Sequence, residues 1–199
     1  MSTRPDVNDD EPKMPSNVLV LAPTIGRRAS EVCSELLHGQ HGRNNGLLVT
    51  CLEPPAERLA AWTGHECGGI DDVTVVDVET AARSAARTGS AASLDAVVDT
   101  VSADADLVAV GETIDRHLER LSGDGETGVC VHSVTDLLQR ADERGVFKLL
   151  EVLTSSVERT NAVAHYHMNP DVHDPETIRT FEVLFEDVVD LRTAGVGDE

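Results

Sequence analysis

Three histidines of this chain lie in extended segments that could bring their side chains together. His165 and His167 are two residues apart in an extended run, so both side chains point to the same side of a strand. His132 ends another apolar run, and Asp171 follows the histidine pair. Three imidazoles and a carboxylate are an acceptable ligand set for Zn²⁺ or another transition metal. One hypothesis is therefore a metal-dependent enzyme or sensor. The alternative is that the histidines pair with each other, with Ser133 or with backbone groups.

A second candidate site is the turn after the first apolar run, at residues 22–30. A phosphate-binding loop needs glycines for close backbone approach, a Lys for the phosphates and a Ser or Thr for Mg²⁺. Here only Gly26 fits, because Arg27 and Arg28 stand at the positions of the Lys and the hydroxyl residue. Pro23 removes one N–H from the loop as well. The pattern predicts a turn from strand to helix without a nucleotide, although two arginines at a helix start could also hold an anion.

Continuous apolar runs without alternation predict strands that are buried on both faces. They lie at residues 17–22, 47–52, 73–76, 128–132, 162–166 and 188–191, the last as an edge strand. Helical patterns cover residues 29–38, 55–62, 94–101, 112–121, 134–153 and 174–185, with a break near Gly145. This alternation predicts a three-layer α/β domain, with a mainly parallel sheet and helices on both faces. We place the domain at residues 16–192, between a disordered acidic tail at 1–15 and a C-terminal tail at 193–199.

In such a sheet, ligands bind at the carboxyl ends of the strands. His132 and His165 would end neighbouring strands there, about 4.8 Å apart, and would share a pocket. Two protonated imidazoles in one pocket would repel each other, which raises the free energy of the doubly charged state. We therefore expect at least one of them to have a pKa below about 6.5.

Four segments resemble the RecA/KaiC-like ATPase superfamily, and more narrowly a degenerate haloarchaeal branch of it. Residues 17–23 are similar to the strand before the phosphate-binding loop, known as Walker A. Residues 49–59 are similar to the second strand of that fold. Residues 129–138 are similar to the Walker B strand and the turn that follows it. Residues 163–170 match the narrower group. The resemblance implies a RecA-like arrangement of the sheet.

The catalytic positions of that superfamily are replaced in this chain. His132 stands where the superfamily has its Mg²⁺-associated Asp, and Leu52 replaces one of two glutamates, which leaves Glu53 at the strand end. The Walker A positions are Gly26, Arg27 and Arg28. Phosphoryl transfer depends on positioning and on charge neutralisation around Mg²⁺. The resemblance therefore implies a pseudo-ATPase without a cofactor, which is a regulatory or protein-interaction module. Nucleotide binding without hydrolysis remains an alternative.

The composition constrains the partners and the compartment. The 199 residues include 16 Lys+Arg and 36 Asp+Glu, for a formal net charge of −20. This charge disfavours binding to nucleic acid or to an anionic membrane.

Only Lys13 and Lys148 are lysines, and an acidic chain poor in Lys is typical of extreme halophiles, where salt screens charge repulsion. The four cysteines form no CxxC pair, which suits a reducing cytoplasm. We expect a protein partner or a homo-oligomer.

Overall fold

A seven-stranded parallel sheet forms the centre of the domain. The computed structural model describes residues 15–23, 32–33, 45–63, 72–79, 96–123 and 126–192. The strands are β1 (Asn17–Leu21), β2 (Asn45–Thr50), β3 (Asp72–Val78), β4 (Val97–Val101), β5 (Thr127–His132), β6 (Val163–Met168) and β7 (Asp187–Asp190). Their order in the sheet is β4-β3-β2-β5-β6-β1-β7, and every neighbouring pair is parallel. The predicted parallel α/β sheet is confirmed, and so is the last strand, β7, as an edge.

Helices connect the strands and cover the sheet. They are α1 (Pro55–Thr63), α2 (Leu107–Ser122), α3 (Val134–Arg140), α4 (Glu143–Arg159) and α5 (Pro175–Glu182), with a short 3-10 turn at Pro170–Val172. Val32 and Cys33 are helical as well. In the described residues no helix is long and apolar enough to cross a membrane. The predicted tails, residues 1–15 and 193–199, lie outside the described residues apart from Pro15.

The helix predicted at residues 94–101 is wrong. Residues Val97–Val101 form strand β4, which pairs with β3 at the edge of the sheet. The segment VVDTV is rich in β-branched residues, which restrict χ1 in a helix and pack well on a pleated surface. Its exposed outer side weakens the apolar pattern that marks the buried strands, since Val97 is 52% exposed.

The break predicted near Gly145 is confirmed, and it lies at residues 141–142. Helix α3 ends at Arg140, and α4 begins at Glu143 with Asp142 as its N-cap. The Gly145 N–H donates to Asp142 Oδ1 over 2.7 Å. An Asp at this position satisfies an N–H that has no partner inside the helix, so the cap rather than the glycine sets the boundary.

The two faces of the sheet are covered differently. Face A is the side that packs against α2, α3, α4 and α5. It carries one continuous apolar core, in which buried residues of six strands, β1 to β6, meet these helices. The largest of its fully buried side chains are Leu19, Leu21, Leu47, Ile114, Leu118, Leu121, Leu137, Leu150, Tyr166 and Phe181.

Face B is the side that packs against α1 and the helical segment at Val32–Cys33. Its apolar residues form two separate small clusters. One joins Leu48, Val73, Val75 and Cys130 to Leu59 of α1, and the other joins Val18, Val20 and Ala22 to Val32. Between these clusters, β5 and β6 present polar side chains to the same face.

Candidate functional site

A cleft of about 920 Å³ opens at the carboxyl ends of β1, β5 and β6, where ligands bind in sheets of this kind. We call it the carboxyl-edge cleft. It is lined by residues from the strand ends, from α3, from the start of α4, from the 3-10 turn and from α5. These include Ala22, Pro23, Glu53, His132, Ser133, Thr135, Asp136, Asp142, Glu143, His167, Asn169 and His173.

The charged side chains that line the cleft are acidic. Glu53, Asp136, Asp142 and Glu143 contribute carboxylates, and no Lys or Arg of the described residues lines it. Burial raises the pKa of Asp136, although hydrogen bonds from Ser133 and the Leu52 backbone oppose the change. These described carboxylates would repel a phosphate group placed beside them.

The end of β5 is shaped by backbone and cap contacts. The peptide bond between His132 and Ser133 is cis. Ser133 is the N-cap of α3, and its Oγ accepts a hydrogen bond from the Asp136 N–H over 3.1 Å. On the cleft wall, Thr135 Oγ1 accepts a bond from the Asn169 N–H at 2.9 Å and lies 3.0 Å from His173 Nε2. These bonds hold α3 against the chain that follows β6.

His132 lies between the cleft and a buried arginine. Its Nδ1 is 3.8 Å from Glu53 Oε2, and the same carboxylate oxygen is 4.0 Å from Arg58 Nη1. Burial, and then the positive charge of Arg58, lower the pKa of His132 to about 3. The imidazole is therefore neutral over the physiological pH range. Among the described residues beside His132, Arg58 is a buried cation, 3% exposed.

Below His132, on face B, four thiol and imidazole side chains form a buried group. We call Cys33, Cys130, His165 and His167 the Cys/His cluster. One donor atom each from Cys33, His165 and His167 lies within 4.8 Å of the others, and Cys33 Sγ is 2.8 Å from His167 Nε2. Cys130 lies directly opposite His165 in the sheet, and its neighbours Cys33, His165 and His167 shift its pKa. All four residues are 3% exposed or less.

Sheet register explains why the four residues meet. Cys130 of β5 lies directly opposite His165 of β6. His167 is two residues further along the same face and lies opposite Val20 of β1. Cys33 comes from the helical segment that covers β1 on that face, beside Val32.

The thiols of the cluster are electrostatically unequal. The hydrogen bond between Cys33 and Cys130, together with burial, raises the pKa of the Cys33 thiol. Burial alone would raise the pKa of Cys130 too, but hydrogen bonds from Cys33, His165 and His167 lower it well below its usual value. Arg58 Nη2 lies 3.9 Å from Cys130 Sγ. The surroundings therefore stabilise a thiolate at Cys130.

Two ring nitrogens of the cluster have no hydrogen-bond partner although they are buried. These are His165 Nε2 and His167 Nδ1. Burial lowers the pKa of His167 and keeps its imidazole neutral, which leaves a nitrogen lone pair available. Buried polar atoms are nearly always paired, so these two nitrogens are candidates to contact a ligand.

The predicted site residues divide between the cleft and the cluster. The rings of His132 and His167 are 5.3 Å apart, and those of His167 and His165 are 5.1 Å apart, so the three histidines follow one another from the cleft inward. His132 and His167 line the cleft and His165 does not. Glu53 lies at the rim, as its strand-end position implies. The degenerate loop residues Gly26, Arg27 and Arg28 lie outside the described residues.

Sequence reasoning missed the two cysteines and Arg58 as site residues. Cys33 looks like one more apolar residue on a helix face beside Val32, and Cys130 looks like a small core residue inside an apolar run. The available signal was the spacing, since Cys130 precedes His132 by two residues just as His165 precedes His167. No local pattern places Cys33 next to His167, because 133 residues of chain separate them.

Comparisons with known proteins bear on the fold and on the family. A solved structure from Pyrococcus horikoshii OT3, a structural study of PH0250, is 13% identical, has a TM-score of 0.52, and the match covers 91% of this chain and 83% of that one. Such a likeness shows a shared fold, which is the three-layer parallel α/β architecture described above. No curated protein matches the chain. The sequence profile of a family of unknown function, DUF7504, matches residues 15–191, and this chain therefore belongs to that family.

Proposed function

We propose that this chain is a non-catalytic RecA/KaiC-like module that acts through contact with another protein or with further copies of itself. The observation that carries the proposal is the charge of the carboxyl-edge cleft. At the sheet edge where an ATPase of this architecture would hold a nucleotide and Mg²⁺, the described lining residues include four carboxylates and no Lys or Arg.

Triphosphate binding needs positive charge close to the phosphates. Arg58 approaches the cleft residue Glu53, but this arginine is buried and lies against Cys130. It does not line the cleft. Carboxylates facing a triphosphate would repel it. The cleft therefore supports a module that acts by protein contact in preference to one that transfers phosphoryl groups.

His132 supports the same conclusion. At the position that resembles Walker B, a carboxylate would be needed near Mg²⁺, and this chain has a neutral, 8% exposed imidazole with a pKa lowered to about 3. A neutral imidazole provides no negative charge for Mg²⁺, which prefers oxygen ligands. Glu53 is the nearest carboxylate and is already close to both His132 and Arg58.

The decisive experiment measures phosphate release and nucleotide binding with Mg-ATP and Mg-GTP, in molar KCl and in low salt. We expect no hydrolysis above the protein-free blank and no binding by calorimetry. Magnesium-dependent turnover that is lost in Glu53→Gln, but kept in the matched surface variant Glu112→Gln, would overturn the proposal. Binding without turnover would favour the alternative of a nucleotide-binding module.

The partner part of the proposal is tested by light scattering coupled to gel filtration over a wide range of protein concentration and salt. We expect a defined oligomer, because a RecA-like domain without chemistry needs a surface through which to act. A monomer under all conditions would leave a different protein as the partner.

We further propose that the module works in a reducing, saline cytoplasm. The described cysteines, at positions 33, 51 and 130, carry no disulfide. A formal charge of −20 causes strong self-repulsion unless salt screens it. Unfolding measurements should therefore show a midpoint that rises with KCl from low salt to the molar range.

A further inference from the structure

We propose that the Cys/His cluster is a binding site for a soft or borderline transition-metal ion, with Zn²⁺ as the first candidate. Its ligands would be Cys33, His165 and His167, with Cys130 as the fourth. This inference goes beyond the proposed non-catalytic module and does not depend on it.

The geometry lies within reach of a tetrahedral site. Zinc bonds of about 2.0 Å to nitrogen and 2.3 Å to sulfur place neighbouring ligand atoms roughly 3.6 Å apart. The donor atoms of Cys33, His165 and His167 already lie within 4.8 Å of one another. Small side-chain rotations would bring these three atoms around a common centre. Cys130 is fully buried and lies directly opposite His165 in the sheet, which makes it the candidate for the fourth ligand.

The donor types identify the class of metal. Two sulfurs and two imidazole nitrogens form the set that Zn²⁺ prefers in closed sites, whereas Mg²⁺ and Ca²⁺ prefer oxygen. The carboxylate of Glu53 approaches His132, which is not one of the four proposed ligands. The cluster therefore favours zinc, cobalt(II) or copper(I) over the hard cations.

The charges also balance. Two thiolates and two neutral imidazoles around a divalent ion sum to zero, which lowers the cost of burying the ion. The remaining buried cation, Arg58, lies 4.0 Å from a Glu53 carboxylate oxygen. Within the described residues, the buried nitrogens His165 Nε2 and His167 Nδ1 make no hydrogen bond.

The site would be structural or sensory rather than catalytic. Its four side chains are 3% exposed or less, and a catalytic zinc keeps a coordination position open to substrate. A metal here would join the helical segment of Cys33 to β5 and β6. Because His167 also lines the carboxyl-edge cleft, metal loading would fix one wall of that cleft.

The first test uses wild-type protein, stripped of metal with a chelator under reducing conditions and titrated with ZnCl₂. We expect one zinc per chain by elemental analysis, and a rise in the thermal midpoint of several degrees on loading, because the metal binds only the folded chain. Titration with CoCl₂ should produce visible bands of tetrahedral cobalt and a thiolate-to-cobalt charge-transfer band. MgCl₂ should produce neither effect.

Variants then assign the ligands. Cys33→Ser should weaken zinc affinity roughly a hundredfold or more, since even the loss of a residue that only orients a ligand costs about 10- to 100-fold. Cys51→Ser is the matched control. Cys51 is also 2% exposed but packs in the core of face A. We expect this control to leave stoichiometry and the cobalt spectrum unchanged.

Three results would overturn the proposal. One is a folded, reduced wild-type protein that binds no zinc and shows no cobalt bands. Another is equal affinity in Cys33→Ser and Cys51→Ser when circular dichroism shows both to be folded. The third is a Cys33–Cys130 disulfide, found by mass spectrometry after thiol alkylation of protein kept in reductant. Because none of these measures ATP hydrolysis, failure here is distinguishable from failure of the pseudo-ATPase proposal.

Discussion

Face A and face B of the sheet are packed by different kinds of side chain. On face A, side chains from six strands and four helices join into one apolar core. On face B, apolar contacts break into two small clusters, and polar and titratable side chains fill the space between them. The core of face A consists mainly of aliphatic and aromatic side chains. Face B buries the Cys/His cluster and the guanidinium of Arg58.

The difference indicates where stability and where function lie. A continuous apolar core is what drives folding, because hydrophobic free energy scales with the buried area. Buried polar groups cost free energy unless they are paired, so a fold keeps such a group at its centre only when something compensates for it. The Cys/His cluster of face B is therefore the strongest candidate for a ligand-binding site. Face A is the candidate for the part of the fold that supplies stability.

The largest expected effect comes from paired truncations in β2, where neighbouring leucines point to opposite faces. Leu47 packs in the core of face A and Leu48 in a small cluster of face B, and both are fully buried. We expect Leu47→Ala to lower the free energy of unfolding by about 4 kcal/mol, and Leu48→Ala by about 3 kcal/mol, because the larger core relaxes less around a cavity. Urea unfolding of both variants measures the difference. A larger loss at Leu48 would contradict the assignment of face A as the scaffold.

The second prediction concerns the response of face B to acid. His132 has a folded-state pKa of about 3, below its unfolded value of about 6.5, so the unfolded chain binds more protons between these values. Its contribution is present above pH 6.5 and is lost as the pH falls from 6.5 towards 3. In metal-free protein we expect His132 alone to account for about 3 kcal/mol of loss between pH 6.5 and pH 4, at about 1.4 kcal/mol per pH unit.

The measurement is the unfolding free energy of wild type and His132→Gln at a series of pH values from 7 to 4. The variant should be less sensitive to acid, so the two curves should converge as the pH falls. Parallel curves would show that His132 is not held neutral by burial and Arg58.

A smaller effect is expected from one of the buried polar contacts of face A. Tyr166 Oη donates to Asn17 Oδ1 over 3.0 Å, and Asn17 Nδ2 donates to the Thr154 carbonyl at 3.2 Å. Tyr166→Phe keeps the ring contact with Phe185 but leaves the Asn17 oxygen unpaired. We expect a loss of about 1–2 kcal/mol in urea unfolding. A stability equal to wild type would mean that Asn17 finds another donor.

The smallest expected effect tests Ser133, at the junction of β5 and α3. Since its Oγ caps α3, Ser133→Ala should cost about 1 kcal/mol, and Ser133→Asp should recover most of it. Thermal unfolding of the two variants provides the comparison. If Ser133→Ala and Ser133→Asp were equally unstable, the capping role would be wrong.

The sheet could be predicted from the sequence because its inner strands are apolar on both faces. Runs such as Leu47–Val49 and Val129–Val131 carry that signal without any tertiary information. Strand β4 could not be predicted in this way, because at the sheet edge Val97 and Val98 are exposed and the segment resembles a short amphipathic helix. Strand β4 is formed through its pairing with β3, and that pairing is known only from the tertiary structure.

The site was predictable only in part, for a related reason. Alternation along one strand places His165 and His167 on one face, and the spacing of Cys130 and His132 does the same for β5. The sequence does not show that the two pairs share a face, or that His167 rather than His165 reaches the cleft. Those facts follow from the register between β5 and β6.

The sequence by itself determined the alternation of buried strands and amphipathic helices, the parallel α/β class and the candidate histidines, because each depends on local periodicity and residue type. Only the tertiary structure decided that Cys33 joins His165 and His167, that Arg58 is buried beside Cys130, and that the described cleft lining carries carboxylates without a Lys or Arg. The reason is physical. These contacts join residues far apart in the chain, and they form only when strand order and helix packing place their elements side by side.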